Sequence, residues 1–182
     1  MHYFAYGSNM SLRRLAARVP SAQFVSAATL SHRQLRFHKP SHDGSSKCDA
    51  FETGEPNHSV WGVVFDIAPR EADDLDAIEG CGISYERQWV DVETAQGSSL
   101  RCMTYRALLT HSHALPYCWY LQHLVIGAGE HQLPDTYQQI LLNYRYQNDP
   151  DAQRRQRELA IYTEVPLAGP ETHALNKKVP SG

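Results

Sequence analysis

Two short stretches carry the residues best suited to chemistry: Gly7-Ser8-Asn9, inside FAYGSNM at residues 4–10, and LDAIEG at residues 75–80. In the first, an apolar run ends on three turn formers before SLRRLAARV takes up a helical pattern. Glycine admits a positive φ, and successive amides on such a bend can face inward as an anion-binding nest. The positive end of the following helix would add to that field. The same residues also fit a plain turn in which Ser8 or Ser11 caps the helix. A serine nucleophile is a third reading, but it needs a base within hydrogen-bond reach. No local spacing singles one out among the ten histidines. The stretch is neither a phosphate loop of the GxxxxGK[ST] type nor a GxGxxG turn, and it lacks the GxSxG elbow.

In LDAIEG, Leu75 and Ile78 can pack inward while Asp76 and Glu79 share another side of the helix. Glu79 falls in the last helical turn. There the dipole disfavours a negative charge and Asp76 adds repulsion, an environment suited to a carboxyl that must take up and release a proton. A solvated helix-end acid is the plainer alternative. Gly80 and Gly82 imply a tight return into a strand beginning at Tyr85, which sets Glu79 at a sheet edge.

Tyr85, Tyr105, Tyr117, Trp119 and Tyr120 could wall a small pocket and donate hydrogen bonds, or simply fill core. Cys81 follows Glu79 by two residues with no histidine near it in sequence, so it reads as a structural thiol. His111 and His113 form an HxH with no third ligand pattern, and no metal site is expected. The RRQRE run at residues 154–158 reads as a solvated helix face.

The elements that must position these groups follow from periodicity. Residues 3–6 read as a strand, 11–19 as a helix, and 23–38 as one or two strands. Residues 39–59 are polar and rich in turn formers, and they read as one long loop. SVWGVVFDI at residues 59–67 is a strand rich in β-formers, and PREADDLDAIEG a helix with Pro69 at its start and Gly80 at its C′ position. Residues 85–93 and 100–107 suggest a hairpin around AQGSS. A helix over 115–126 is interrupted by GAGEHQLP. Asp135 can cap a further helix through residue 146, and Asp149, Pro150 and Asp151 can start another ending near residue 160.

At 182 residues, with 42% hydrophobic and 20% charged content, the chain can bury one ordinary core. Seventeen Lys+Arg against 20 Asp+Glu give a net charge of −3, so no basic field for nucleic acid exists. No apolar run approaches the roughly 20 residues that span a bilayer, and no signal peptide is expected. Four scattered cysteines without CxxC suggest thiols in a reducing cytoplasm. The expectation is a single α+β catalytic domain over residues 1–162, an antiparallel or mixed sheet or small β-barrel with flanking α-helices, followed by an irregular tail at 163–182.

Taken together, FAYGSNM, VWGVVFDI, LDAIEG followed by Tyr85, CMTYRA, and Tyr120 with GAGEHQLPDTY resemble the gamma-glutamylcyclotransferase family. The similarity runs over about residues 2–145 in the family's order. The resemblance implies a small β-barrel whose cavity holds a γ-glutamyl group. Tyr6, Gly7, Ser8 and Asn9 would line its anionic end mainly through backbone amides. Glu79 would be the catalytic acid/base, and Tyr85 and Tyr120 pocket tyrosines. The implied reaction is attack of the substrate's α-amine on its own γ-carbonyl, releasing 5-oxoproline and a free amino compound without a metal or organic cofactor. A homodimer is permitted by the family and supported by no interface signature here. Residues 39–59 and 82–84 are less alike, and they would decide which leaving group fits. Same-fold alternatives are a γ-glutamyl-amine cyclotransferase and an enzyme removing a γ-glutamyl protecting group; a non-catalytic ligand-binding domain is the alternative of another class.

Overall fold

The computed structural model describes residues 1–110 and 113–162. Five strands close a barrel in the order β1-β5-β2-β6-β7. β1 (His2–Ala5) lies antiparallel to β5 (Ser59–Asp66), pairing Phe4 with Val64. β5 pairs with β2 (Gln23–Ser31), which is bulged between Phe24 and Ser26. β6 (Tyr85–Thr94) and β7 (Ser99–Ala107) form the expected hairpin, and a parallel contact of Tyr3 with Met103 closes the barrel. Phe4, Val60, Val64, Cys102 and Met103 are buried in the core while Asp66 and Asp91 are exposed, and strand alternation shows in buried Val90, exposed Asp91 and buried Val92. The α+β class and the barrel are as expected.

The segment at residues 39–59 is not one loop. β3 (Arg33–Pro40) continues into it, and β4 (Ser46–Glu52) returns antiparallel, forming a second, two-stranded sheet. Turn-forming composition is concentrated in the connection, where the Asp43 carboxylate accepts from the Ser45 amide at 3.0 Å and from Lys47 Nζ at 2.7 Å. β4 itself is short and polar, so its alternation is weak. It is anchored on the barrel by the Ala107 amide, which donates to Asp49 Oδ1 at 2.9 Å.

The helices flank the barrel: α1 (Leu12–Ala16), α2 (Glu71–Glu79), α3 (Cys118–Glu130), α4 (Asp135–Leu142) and α5 (Ala152–Leu159). α3 runs straight through Gly127 and Gly129 instead of breaking at residue 126. The reason is packing: a Cβ at Gly127 would lie 2.5 Å from the Ser11 amide nitrogen. Helix propensity is thus overridden by the close approach of α3 to the 7–11 turn. α4 stops at Leu142 rather than residue 146, and Asp135 is its first residue, favourable to the dipole but not a side-chain cap. Asp151 does cap α5, accepting from the Arg154 amide at 2.9 Å, and most of RRQRE is exposed. His111 of the HxH pair and the tail at 163–182 lie outside the described residues.

Candidate active site

The C-terminus of α2 sets the site. Gly80 takes the left-handed conformation (φ 65°) and the Cys81 amide donates to Asp76 O at 2.9 Å, ending the helix in a Schellman-type closure. The Ser84 amide then returns to Gly80 O at 2.8 Å, which leads directly into β6 at Tyr85. Glu79 and Tyr85, six residues apart, therefore share one wall. The opposite wall is the 3-10 turn Ser8–Met10 after β1, closed by the Met10 amide on Gly7 O at 3.0 Å. The Ser8 and Asn9 amides, at the start of that turn, have no partner within it.

Between these walls lies a small cavity lined by Tyr3, Tyr6, Gly7, Ser8, Asn9, Cys48, Glu79, Tyr85, Tyr105 and Tyr120. All seven residues singled out from sequence for substrate and catalysis converge here. Of the five aromatics considered, Tyr85, Tyr105 and Tyr120 reach it. Tyr117 and Trp119 do not: Tyr117 donates to Asp43 O at 2.8 Å, and Trp119 Nε1 to Asp149 at 2.7 Å.

Asn9 organises the charged corner. Its Nδ2 donates to Glu79 Oε1 at 2.9 Å and to Tyr3 Oη at 3.1 Å, while Oδ1 accepts from Arg18 Nη1 at 2.9 Å. A guanidinium only donates, so the amide orientation is determined. Arg18 also lies 3.5 Å from Glu79 Oε1. Glu79 Oε2 accepts from no described residue, and Glu79 lines the cavity.

The tyrosines are tied down. Tyr6 Oη donates to Tyr105 O at 2.5 Å, Tyr85 Oη to Cys48 O at 3.0 Å, and Tyr105 Oη to Asp76 Oδ1 at 2.6 Å. Tyr120 Oη accepts from the Cys48 amide at 3.3 Å and lies 3.1 Å from Cys48 Sγ. Burial raises the pKa of Tyr3, Tyr6, Tyr85, Tyr105 and Tyr120, and pushes the Cys48 thiol up to about 12. These groups stay neutral, and Glu79 is the one carboxyl side chain among the described residues lining the cavity.

Two expectations change. Gly7 has φ −113°, so a positive φ is not what it supplies. It supplies space: a Cβ there would meet Cys48 Sγ at 2.7 Å. Asp76 does not press its charge on Glu79, because Arg87 Nε (2.9 Å) and Nη2 (2.5 Å) hold it together with Tyr105. Ser8 makes no hydrogen bond to a histidine or carboxylate among the described residues, so the nucleophile reading lacks its base. Tyr3, Arg18 and Cys48 were not anticipated. The alternation TLSHRQLRFHK is a visible strand signal, but nothing local announces that β4 delivers Cys48 to a tyrosine 72 residues later. Among the described residues no group of His, Cys, Asp and Glu could hold a metal ion.

By fold this is a small closed barrel with one helix-borne carboxylate at its mouth, and the family model described as AIG2-like matches residues 59–141. The chain is 34% identical over 145 residues to the gamma-glutamylcyclotransferase of Bos taurus, covering 76% of each chain. It is 32% identical over 149 residues to that of Homo sapiens, again covering 76% of each. A solved structure named Gamma-glutamyl cyclotransferase superposes with a TM-score of 0.77 at 28% identity, over 88% of this chain and 98% of that one. The chain belongs to the gamma-glutamylcyclotransferase family.

Proposed function

We propose that this chain is a γ-glutamylcyclotransferase whose catalytic domain spans residues 1–162. The observation that carries the reading is the Glu79 carboxylate, held through Oε1 by Asn9 with no described partner at Oε2, lining one cavity with the Gly7-Ser8-Asn9 turn. A γ-glutamyl head binds with its α-carboxylate against the amides of the turn, in a sleeve of neutral hydroxyls. The substrate's α-amine then attacks its own γ-carbonyl. A C–N bond forms within a five-membered ring and the amide bond to the leaving nitrogen breaks, giving 5-oxoproline and a free amine.

An internal nucleophile needs chiefly orientation, since effective molarities of such closures reach roughly 10⁵–10⁸ M. The hydrogen-bonded tyrosines supply that orientation by their fixed positions. Glu79 takes a proton from the attacking amine and returns one to the departing nitrogen, ending in the state in which it began. Amides of the turn suit the oxygen or carboxylate that carries negative charge. The substrate in this reading is a small γ-glutamyl compound, and no helix in the described residues is long and apolar enough to cross a membrane. A cytoplasmic setting is part of the proposal, in keeping with four free thiols.

The test is mass-spectrometric detection of 5-oxoproline over γ-glutamyl-amino acids, γ-glutamyl-ε-lysine and intact glutathione. Release of 5-oxoproline supports the reading, and the panel separates it from the γ-glutamyl-amine and protecting-group alternatives. Free glutamate in its place means hydrolysis, and stoichiometric binding without product means a binding domain; either overturns it.

A further inference from the structure

The inner cavity adjoins a wider outer cleft, and the two share Ser8, Glu79, Tyr85 and Tyr120. With the γ-glutamyl head inside and its γ-carbonyl beside Glu79, the leaving amine must extend into this cleft. Its charged lining is cationic apart from Glu79, yet most of those cations are engaged. Arg14 pairs with Glu158 at 2.7 Å, Lys47 with Asp43 at 2.7 Å, and Arg18 with Asn9 and Glu79. His42 is exposed.

Lys39 is different. It is 8% exposed, lines the cleft, and has neither an ion pair nor a side-chain hydrogen bond with any described residue. Its Nζ lies 4.9 Å from the centre of the Tyr85 ring, at the junction of cleft and cavity. It also stands directly opposite Lys47 in the β3–β4 register, and the charges of Glu79 and Asp43 act on it only from beyond ion-pair distance while burial lowers its pKa. Lys47 sends its Nζ the same way, 4.8 Å from the Tyr120 ring. A buried ammonium that makes no direct ion pair or hydrogen bond is costly to keep. An anion seated between Lys39 and the mouth of the cavity removes that cost.

We propose that Lys39 is a specificity residue whose ammonium takes the carboxylate of the leaving amino acid, so that γ-glutamyl conjugates of anionic amines are preferred to those of neutral or cationic ones. This rests on the cyclotransferase reading, and it makes the cleft a selector of leaving groups while the cavity holds the γ-glutamyl head. The site belongs to β3 at its junction with the 39–59 segment, one of the two stretches less alike to the family, where leaving-group choice is expected to lie.

The experiment compares γ-glutamyl-alanine, γ-glutamyl-alaninamide and γ-glutamyl-putrescine, which share a head and differ in the charge of the leaving group. Wild-type kcat/KM should favour the alanine conjugate about 10- to 100-fold, the range of one charge-assisted hydrogen bond. Lys39→Met should remove most of that preference, chiefly through KM, with less than threefold change for the alaninamide conjugate; Lys39→Arg should restore part of it. Equal losses on all three substrates would mean that Lys39 acts through Glu79 or the fold, and would overturn the proposal. So would a wild-type protein indifferent to leaving-group charge, a result that needs no variant. Equilibrium binding of the three ligands to Glu79→Gln repeats the comparison without turnover. There, a preserved preference with no 5-oxoproline from wild type would reject the cyclisation and uphold Lys39, whereas 5-oxoproline without any preference would reject Lys39 alone.

Discussion

Asp76 and Glu79 are carboxylates one helical turn apart on α2, with side chains 25% and 19% exposed. Burial does not separate them; partners do. Asp76 receives two guanidinium nitrogens of Arg87 and the Tyr105 hydroxyl, so its charge is matched and both oxygens are occupied. Glu79 receives one neutral amide hydrogen from Asn9, and its nearest cation is already bonded to the carbonyl of the same Asn9. One oxygen is held for direction and the other is left for a substrate. The comparison teaches that a carboxylate is made available by incomplete satisfaction, while its neighbour makes the wall rigid by full satisfaction.

The largest effect should come from removing the open oxygen. Glu79→Gln keeps an acceptor for Asn9 and so keeps the corner intact, yet it cannot exchange a proton near neutrality. On the proposed chemistry, 5-oxoproline release should fall by about 10³-fold, within the 10²–10⁴ range for general acid–base groups. Substrate binding and thermal stability should change little. Unchanged turnover in a folded variant would end the proton-transfer role.

A third titratable group sharpens the contrast from the other side, since it is held uncharged. His123 on α3 is fully buried; Arg14 Nη1 lies 3.0 Å from its Nε2, and Tyr162 Oη 2.6 Å from its Nδ1. Arg14 can only donate, so Nε2 accepts and Nδ1 carries the proton. Burial, opposed by the Glu158 carboxylate 3.6 Å from Nε2, lowers the pKa to about 4 from an ordinary 6.5. The unfolded chain therefore binds the proton first. Stability is fully present above about pH 6.5 and is lost as pH falls toward 4. Urea unfolding should show roughly 2 kcal/mol less stability at pH 4.5 than at pH 7. His123→Gln should flatten part of that slope, with His131, also lowered by burial, accounting for some of the rest. A slope unaltered by the substitution would contradict the neutral assignment.

Asp76→Asn should be milder than Glu79→Gln in activity and visible in stability. It leaves Arg87 without its matched charge and weakens the Tyr105 bond, costing about 1–2 kcal/mol for a partly exposed charged pair. Activity should fall about 5- to 10-fold through displacement of Tyr105 in the cavity wall, with the pH profile of kcat unmoved. A shifted profile would make Asp76 a second proton carrier and abolish the distinction drawn above.

Legibility in the sequence followed how local each cause is. VWGVVFDI, the hairpin and the Gly80 helix stop were readable because β-formers, a turn and a left-handed glycine act within a few residues. Glu79 and the 7–9 turn stood out as separate candidates, and only their occurrence in one ordered set of motifs suggested a shared pocket. β4 was hidden because its polar residues face partners far along the chain: Cys48 meets Tyr120, and Asp49 meets the amide of Ala107. The run through Gly127 was hidden for the opposite reason. Its glycines looked like a break, and only the 7–11 turn pressed against them reveals why side chains are absent there. Arg18 and Tyr3 reach the site through Asn9, a connection that no spacing encodes.

The smallest effect tests the same comparison at the opposite wall. Ser8 is 8% exposed, it faces both cavity and cleft, and its hydroxyl has no base beside it. If the turn acts through its backbone amides, the hydroxyl resembles neither carboxylate: it is neither tied into the wall nor needed for proton transfer. Ser8→Ala leaves the amide in place and is tolerated by the turn, so kcat/KM for a γ-glutamyl-amino acid should change less than about threefold. That is below the 10²–10³ cost of deleting an essential oxyanion donor. Complete loss of 5-oxoproline release in a variant with wild-type melting temperature would instead make the hydroxyl the reacting group, and Glu79 would then have to be reread as its distant base.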